Sequence, residues 1–518
     1  MKITYISHAS LLIEVNGIKI LTDPWMNGPA YCEQWYVFPP PIDRYNELLR
    51  DIDFVLLSHG HEDHTHHKTL KLVNKSAQIF YPYSWYDGAV EYFKSLGFSK
   101  IQEALNEKVY KVTKDVEITF YANNLDNIIV IEANGKTIVD VNDALPSTSP
   151  EIIDHFIQKL SSKHPKIECL FSSYGGASYY PNTIKCDWKN DIEVGKIREL
   201  FFVNNFCKIA AGLNAKFSIP FASDFVLLDD NQLWMNTVKF LRNEVANYFN
   251  THYPKFSGST QIIEMYPGDH LFNSELVLNS DYHEKFKKHD INTLIKEVYQ
   301  NEIEVKRNIT TISEEKFLKL YEKIKAHIYS HIEIVPPKSR KHLLFAIQIT
   351  DYTTKQFINV DLSKEKPDVS LVSKPNQNNR LLLKIKSKTL NYSIDNEWGG
   401  DAIIIGYGCE LLVFDKDAIK YELDNYAIQL LTRYPNTKAY IKKNPLRALK
   451  YLSSDKIKRK IFWDKLLNKK EENPYMDSIL KEDDLWFNRS GCEICKKCNL
   501  PILTHELSTR YYTVNNKV

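Results

Sequence analysis

The sequence predicts an α/β protein in which two β-sheets pack face to face between layers of helices. Short apolar strands succeed one another through residues 1–145, Asn-Gly pairs punctuate them, and long helix-like stretches follow only later.

KITYI, SLLIEV and IKILTD read as three consecutive strands, and Asn16-Gly17 between the last two is a hairpin signal. DFVLL, Asp53 to Leu57, reads as a buried strand, and a polar helix starts near Lys68. The strands AQIFYP, VEITFYA, NIIVIEA and KTIVDV come next, with Asn134-Gly135 as a second hairpin turn. DIEVGKIRELFFVNNFCKIAAGLNA is a helix, AKFSIPFA a strand, and the chain from Asp281 to Ser330 is helical and highly charged. A second unit begins near Val335 with the strands LLFAIQIT, QFINVDL, RLLLKIKS and AIIIGYG, and Ser363 to Asn379 is its most loop-like segment.

A chain of 518 residues is too long for one hydrophobic core. The expected division is 1–280 as a catalytic domain, 281–334 as a helical connector, 335–437 as an α+β domain and 438–518 as a basic helical tail. The net charge of +2 argues against global affinity for nucleic acid or anionic membrane. No stretch approaches the ~20 apolar residues of a membrane helix, and no secretory signal opens the chain, so a cytoplasmic protein is expected. Eight cysteines over this length are no disulfide scaffold. From Lys438 to Lys470 twelve Lys and Arg stand against two Asp, a pattern that reads first as a solvated helix face.

The chemistry is concentrated in SHGHEDHTHH, Ser58 to His67, directly after the buried strand. His59, His61, Asp63 and His64 spell H-x-H-x-D-H. Two His at i and i+2 on an extended backbone point the same way, and Asp63 and His64 turn into a second pocket as a helix begins. The loop thus offers two adjoining half-sites of imidazole and carboxylate for zinc, iron or manganese. His66 and His67 are expected on the surface of the following helix.

This pattern resembles the metallo-β-lactamase fold, a four-layer αββα sandwich holding one or two metals at one edge, here with a C-terminal α+β extension. TDPW, Thr22 to Trp25, is similar to the same superfamily. The resemblance implies a bridging Asp after a later strand: Asp143 in TIVDVND, with Asp140 as the alternative. DPWMNGPAYCEQWYVFPPP, YGGASYYPNT and IPFASDF are similar to segments of the CMP-N-acetylneuraminate hydroxylases. DLSKEKP and WGGDAIIIGYG extend the likeness faintly, so that it covers residues 1–420.

Three departures stand against that family. Its members carry an N-terminal Rieske iron-sulfur domain, whereas this sequence opens on the first strand. No histidine lies between His67 and His155, where the superfamily supplies a further ligand; Asn123, Asn124 or Asp126 in YANNLD are the oxygen donors in that neighbourhood. His270 is then the expected last-position ligand, and His8 a pocket-lining residue. Finally, Cys492, Cys495 and Cys498 form C-x-x-C-x-x-C, which would hold zinc with His505 as fourth ligand, or an iron-sulfur cluster.

Three functions follow. The first is a hydrolase whose metal-bound water attacks a polar anionic or nucleotide-sugar-like molecule, with Asp63 and His64 as catalytic residues. In it His8, Trp25, Asn124, Gly175, Gly176 and Ser178 bind substrate, the two glycines through backbone amides. The second is an iron-dependent hydroxylase of a CMP-sialic-acid-like substrate, fed electrons by a redox partner or by a cluster on the tail cysteines. The third is a degenerate site that binds without reacting.

Overall fold

The computed structural model describes residues 1–452, except 85, 87, 124, 125, 149, 178, 189, 288, 289 and 309, together with 493–494 and 501–502. Two large sheets form the N-terminal unit. In the first, eight strands run in the order Glu275–Val277, His270–Phe272, Lys2–Ser7, Ser10–Val15, Ile18–Thr22, Phe54–Leu56, Gln78–Pro82 and Ile101–Ala104. The second holds seven, from Gln261–Ile262 through Phe217–Phe221, Ile167–Ser173, Lys136–Asn142, Asp126–Ala133 and Val116–Asn123 to Val109–Thr113.

Alternation of side chains along each strand builds the layers. In Asp126–Ala133, Ile129 and Ile131 point into the core between the sheets, where they meet Ile13, Ile20, Phe120, Phe171 and Phe221. Ile128 and Val130 point the other way, onto a cluster with Phe156, Leu160, Val203 and Phe206. Those four residues come from the helices Pro150–Lys163 and Asp191–Leu213. On the outer face of the first sheet, Leu12, Leu21 and Val55 pack with Leu70 and Phe93, which helices His67–Leu72 and Gly88–Ser95 supply. Helix, sheet, sheet, helix is the four-layer sandwich.

The third sheet has six strands, in the order Ile184–Cys186, Cys409–Val413, Leu381–Ile385, Leu344–Ile349, Phe357–Asp361 and Asp368–Val372. Its first strand comes from the N-terminal half and pairs in parallel with Cys409–Val413, so a division at 280 and 335 is crossed by one strand. Two readings of the second unit need correction. AIIIGYG is not a strand: Asp401–Ile404 is a helical turn, and the strand is the CELLV that follows. The loop-like Ser363 to Asn379 contains the strand Asp368–Val372, an edge strand. Among the described residues no helix is long and apolar enough to cross a membrane.

Asp229 fastens the units together, accepting from Lys306 and Lys386 at 2.6 Å each. Phe120 is wholly buried between the two sheets. Phe120→Ala is expected to cost about 3–5 kcal/mol, read as a drop in the denaturant midpoint at constant slope; a change under about 1 kcal/mol would contradict this packing.

Candidate metal centre

The centre forms where the ends of strands from both sheets meet. Asp23 follows the strand Ile18–Thr22 and is wholly buried. Its carboxylate accepts from the Ser58 amide at 2.8 Å, the Ser58 hydroxyl at 2.6 Å and His64 Nδ1 at 3.0 Å, and also from the Asn142 amide. Ser58 Oγ, having donated to Asp23, accepts from His59 Nδ1 at 2.8 Å. Each imidazole spends its Nδ1 proton on this network and turns its Nε2 inward.

His59 Nε2 lies 2.8 Å from His61 Nδ1. His64 Nε2 is buried without a hydrogen-bond partner, 3.4 Å from Asp63 Oδ2 and 3.3 Å from Asp143 Oδ2. Three sets of ligand atoms converge within 4.8 Å: His59, His61 and Asp126; His8, Asp63 and His64; and His59, His64 and Asp143. An inward nitrogen with no partner and converging carboxylates fit a cation.

Charge follows the geometry. Burial, and the imidazoles of His64 and His61 beside it, hold His59 well below its usual range, so it is a neutral donor. Burial alone would raise Asp63, but His64 and His8 keep its carboxyl well below its usual range and ionised. Asp140, one strand turn earlier, is pushed well above its usual range by burial and by Asp23. It joins none of the three ligand sets, so Asp143 rather than Asp140 faces the centre.

His8 occupies a left-handed position, φ 42°, in the turn after Lys2–Ser7. Its carbonyl accepts from the Ala222 amide at 3.0 Å, so IPFASDF fixes its backbone. Its Nε2 then reaches Asp63 Oδ2 at 3.1 Å. His8 thus joins Asp63 and His64 in one of the three convergent groups of ligand atoms.

Other expected residues lie elsewhere. His270 sits on the strand beside Lys2–Ser7, opposite Thr4, with Nδ1 3.5 Å from the Gly268 carbonyl, and is in none of the ligand sets. Trp25 is wholly buried and backs the His8 ring, centroids 5.0 Å apart, with its indole N–H given to the Gly28 carbonyl; no face is left for substrate. The Gly175 amide already donates to Ser223 Oγ at 2.8 Å, so it is not a free anion donor. His66 is not a surface residue: it is buried and caps the helix His67–Leu72. Asn123 gives its side-chain amide to the Ala144 carbonyl. Asn124, Ser178, Cys492, Cys495, Cys498 and His505 lie outside the described residues.

Sequence reasoning missed Tyr31, Glu62 as its partner, and Asp401. Tyr31, Cys32 and Glu33 run consecutively left-handed, with φ of 53°, 56° and 67°, a conformation costing roughly 1–2 kcal/mol per residue. The Tyr31 amide donates to Glu62 Oε2 at 2.7 Å and its hydroxyl to Asp63 Oδ1 at 2.5 Å. From the second unit, Lys388 grips Glu33 at 2.5 Å, and a Cβ on Gly406 would lie 2.6 Å from Tyr31 Cβ, which only glycine avoids. Asp401, also from the second unit, feels His61 and Asp63 and is pushed up by burial to about 6; burial pushes Glu62 to about 7. Solvent reaches the centre from the side of Asp143, whose side chain is 33% exposed.

Residues 2–142 match the family model described as "Beta-lactamase superfamily domain". The N-terminal unit thus belongs to the metallo-β-lactamase fold class. A protein of Mycolicibacterium smegmatis described as a Rieske 2Fe-2S iron-sulfur protein is 29% identical over 35% of this chain and 35% of its own length. The cytidine monophosphate-N-acetylneuraminic acid hydroxylase of Cricetulus griseus is 24% identical over 44% of this chain and 40% of its own. The chain therefore spans well under half the length of these curated relatives. An isothiocyanate hydrolase from Delia radicum gut bacteria superimposes with a TM-score of 0.38 at 15% identity, over 54% of this chain and 100% of that one.

Asp23→Asn removes the acceptor that orients His64 and Ser58. Metal affinity, measured by competition with a chromophoric chelator, is expected to fall about 10–100-fold; an unchanged affinity would sink this role. Glu62 and Asp401 lie above their ordinary values of 4.5 and 3.8, so the folded chain binds more protons than the unfolded one. The stability they contribute is full below those ordinary values and is lost as pH rises through about 6 and about 7. Metal-free protein should melt lower at pH about 8 than at about 5, and Asp401→Asn should flatten that slope. A slope identical in the variant would contradict the burial of Asp401.

Proposed function

We propose that the chain is a metalloenzyme with a two-ion centre that hydroxylates a polar anionic small molecule in an iron-dependent reaction. One half-site is His59, His61 and Asp126; the other is His8, Asp63 and His64; Asp143 lies between them. The observation that carries this reading is Asp126, a carboxylate beside His59 and His61 where an imidazole is missing from the sequence. Each half-site then presents two histidines and one carboxylate, a donor set that suits non-haem iron and that catalytic zinc also takes, so Asp126 carries the two-ion centre and the relatives' names carry the choice of iron. The hydroxylase and Rieske names of the curated relatives support the same direction.

Bound here, iron supplies redox chemistry with dioxygen, and the electrons come from a donor. In this reading the donor is a redox partner or a cluster on Cys492, Cys495 and Cys498, with His505 near them in sequence. The chain's own residues hold and orient. Asp23 and Ser58 fix the two inward nitrogens. Tyr31 keeps Asp63 from swinging by occupying its outer oxygen. Glu62 and Asp401 stand on the second-unit side as carboxyls that burial raises to about 7 and about 6. The substrate class, an acidic nucleotide-sugar-like molecule, follows the relatives' names.

Hydrolysis is the second reading, favoured by the solvent-exposed side at Asp143. Elemental analysis and an absorption spectrum of protein purified without added metal separate the two. Iron above one equivalent is expected, and Asp126→His is expected to shift the retained metal toward zinc. Stoichiometric zinc in a colourless wild-type protein would overturn the oxygenase reading.

A further inference from the structure

The segments around Gly175-Gly176 and Phe221–Phe225 meet at a second cavity, away from the metal ligands. Gly175, Asn182, Arg198, Glu199 and Lys239 line it, with Tyr407 contributed by the second unit. Junctions between units are favoured places for small-ligand sites. Phe225 separates this cavity from the metal centre. Its ring stacks on Trp35 at 3.5 Å, lies 6.5 Å from the His8 ring, and carries Lys239 Nζ 3.2 Å from its centroid.

The charges of the cavity do not balance. Arg198 and Glu199 are 4% and 5% exposed. Arg198 places Nε and Nη2 on Glu199 Oε1, at 3.3 and 2.7 Å, and that one carboxylate satisfies one edge of the guanidinium. Its Nη1 is buried without a hydrogen-bond partner. Lys239 is the second cation. It donates to the carbonyls of Ser223, at 3.3 Å, and Phe225, and among the described residues it makes no ion pair. Asp224, the next carboxylate, is committed to Arg242 and Tyr5. Two cations thus share one carboxylate. Asn182, 3% exposed, adds an acceptor, Oδ1, that is likewise without a partner.

A buried donor left unpaired carries a desolvation cost, larger when it is charged, and desolvation pushes the Lys239 amine down to about 7. One negative charge with a hydrogen-bond donor beside it would meet all three groups. We propose that this cavity is a binding site for a small hydroxycarboxylate. Arg198 Nη1 and the Lys239 ammonium hold its carboxylate, and Asn182 Oδ1 accepts from its hydroxyl. A carboxylate is favoured over a phosphate because the deficit is a single charge and phosphate near neutral pH carries more than one. The inference stands apart from the metal chemistry, since no residue in it belongs to a ligand set.

The test is calorimetric titration of the full chain with glycolate, acetate and inorganic phosphate, on protein as purified and after chelator treatment. Glycolate is expected to bind with or without metal and more tightly than acetate. Arg198→Gln and Lys239→Met should each weaken it about 10-fold or more, the size expected for a charge-assisted hydrogen bond. Lys239→Met replaces a buried amine by an apolar chain, a change that folds tolerate, so it decides the matter should Arg198→Gln fail to fold. Absence of glycolate binding to wild type, binding unchanged in Lys239→Met, binding abolished by the chelator, or phosphate outcompeting glycolate would each overturn the proposal.

Discussion

A single buried carboxylate organises this centre. Asp23 has no exposure to water, and a carboxylate in such a place is tolerated only when its oxygens are engaged. Four donors engage them: two from Ser58, one from His64, one from Asn142. Ser58 and His64 belong to the loop after a strand of the first sheet, and Asn142 closes a strand of the second. The carboxylate therefore ties the two sheets at one edge and fixes the tautomers of two imidazoles at once. His59 and His64 face inward because their Nδ1 atoms are already spent.

A second constraint acts from the opposite side. Tyr31 to Glu33 hold a left-handed course that no glycine relieves. Such strain persists only where its surroundings over-determine it. Here Glu62 and Asp63 pull on Tyr31, Lys388 pulls on Glu33, and Gly406 lets the backbone of the second unit come close. The second unit is thus part of the wall of the centre, and the shared strand Ile184–Cys186 makes its attachment continuous with the sandwich. Packing of the interior, polar satisfaction at the sheet edge and the shape of the mouth are one mechanical system.

Much of this was legible in the sequence because it rests on local signals. Asn16-Gly17 and Asn134-Gly135 sit at the turns of real hairpins, with φ of 52° and 78°, and 52° and 72°. The spacing of His59, His61 and His64 is enough to bring their rings together. Asp126 was hard to see because a carboxylate beside Asn123 and Asn124 looks like turn chemistry; only the pairing of Asp126 with Asn123 across two strands aims it at His59. His8 was hard to weigh because its neighbour Asp63 lies 55 residues away. His270 attracted notice as a lone late histidine, yet its strand lies beside Lys2–Ser7 and brings it into no ligand set. In AIIIGYG the apolar run mimicked a strand, but the chain turns helical at Asp401 and the tight Gly406 contact follows. Long-range placement, which no short motif encodes, accounts for each of these.

The claim on which the account turns is that Asp126 and His8 complete two adjacent half-sites built on the histidine loop. Anomalous scattering from crystals of the purified protein, recorded on both sides of the iron and zinc absorption edges, addresses it directly. The account predicts two iron peaks, one bounded by His59, His61 and Asp126 and the other by His8, Asp63 and His64. A zinc peak alone, or density in which Asp126 or His8 turns away from the ion, would contradict it.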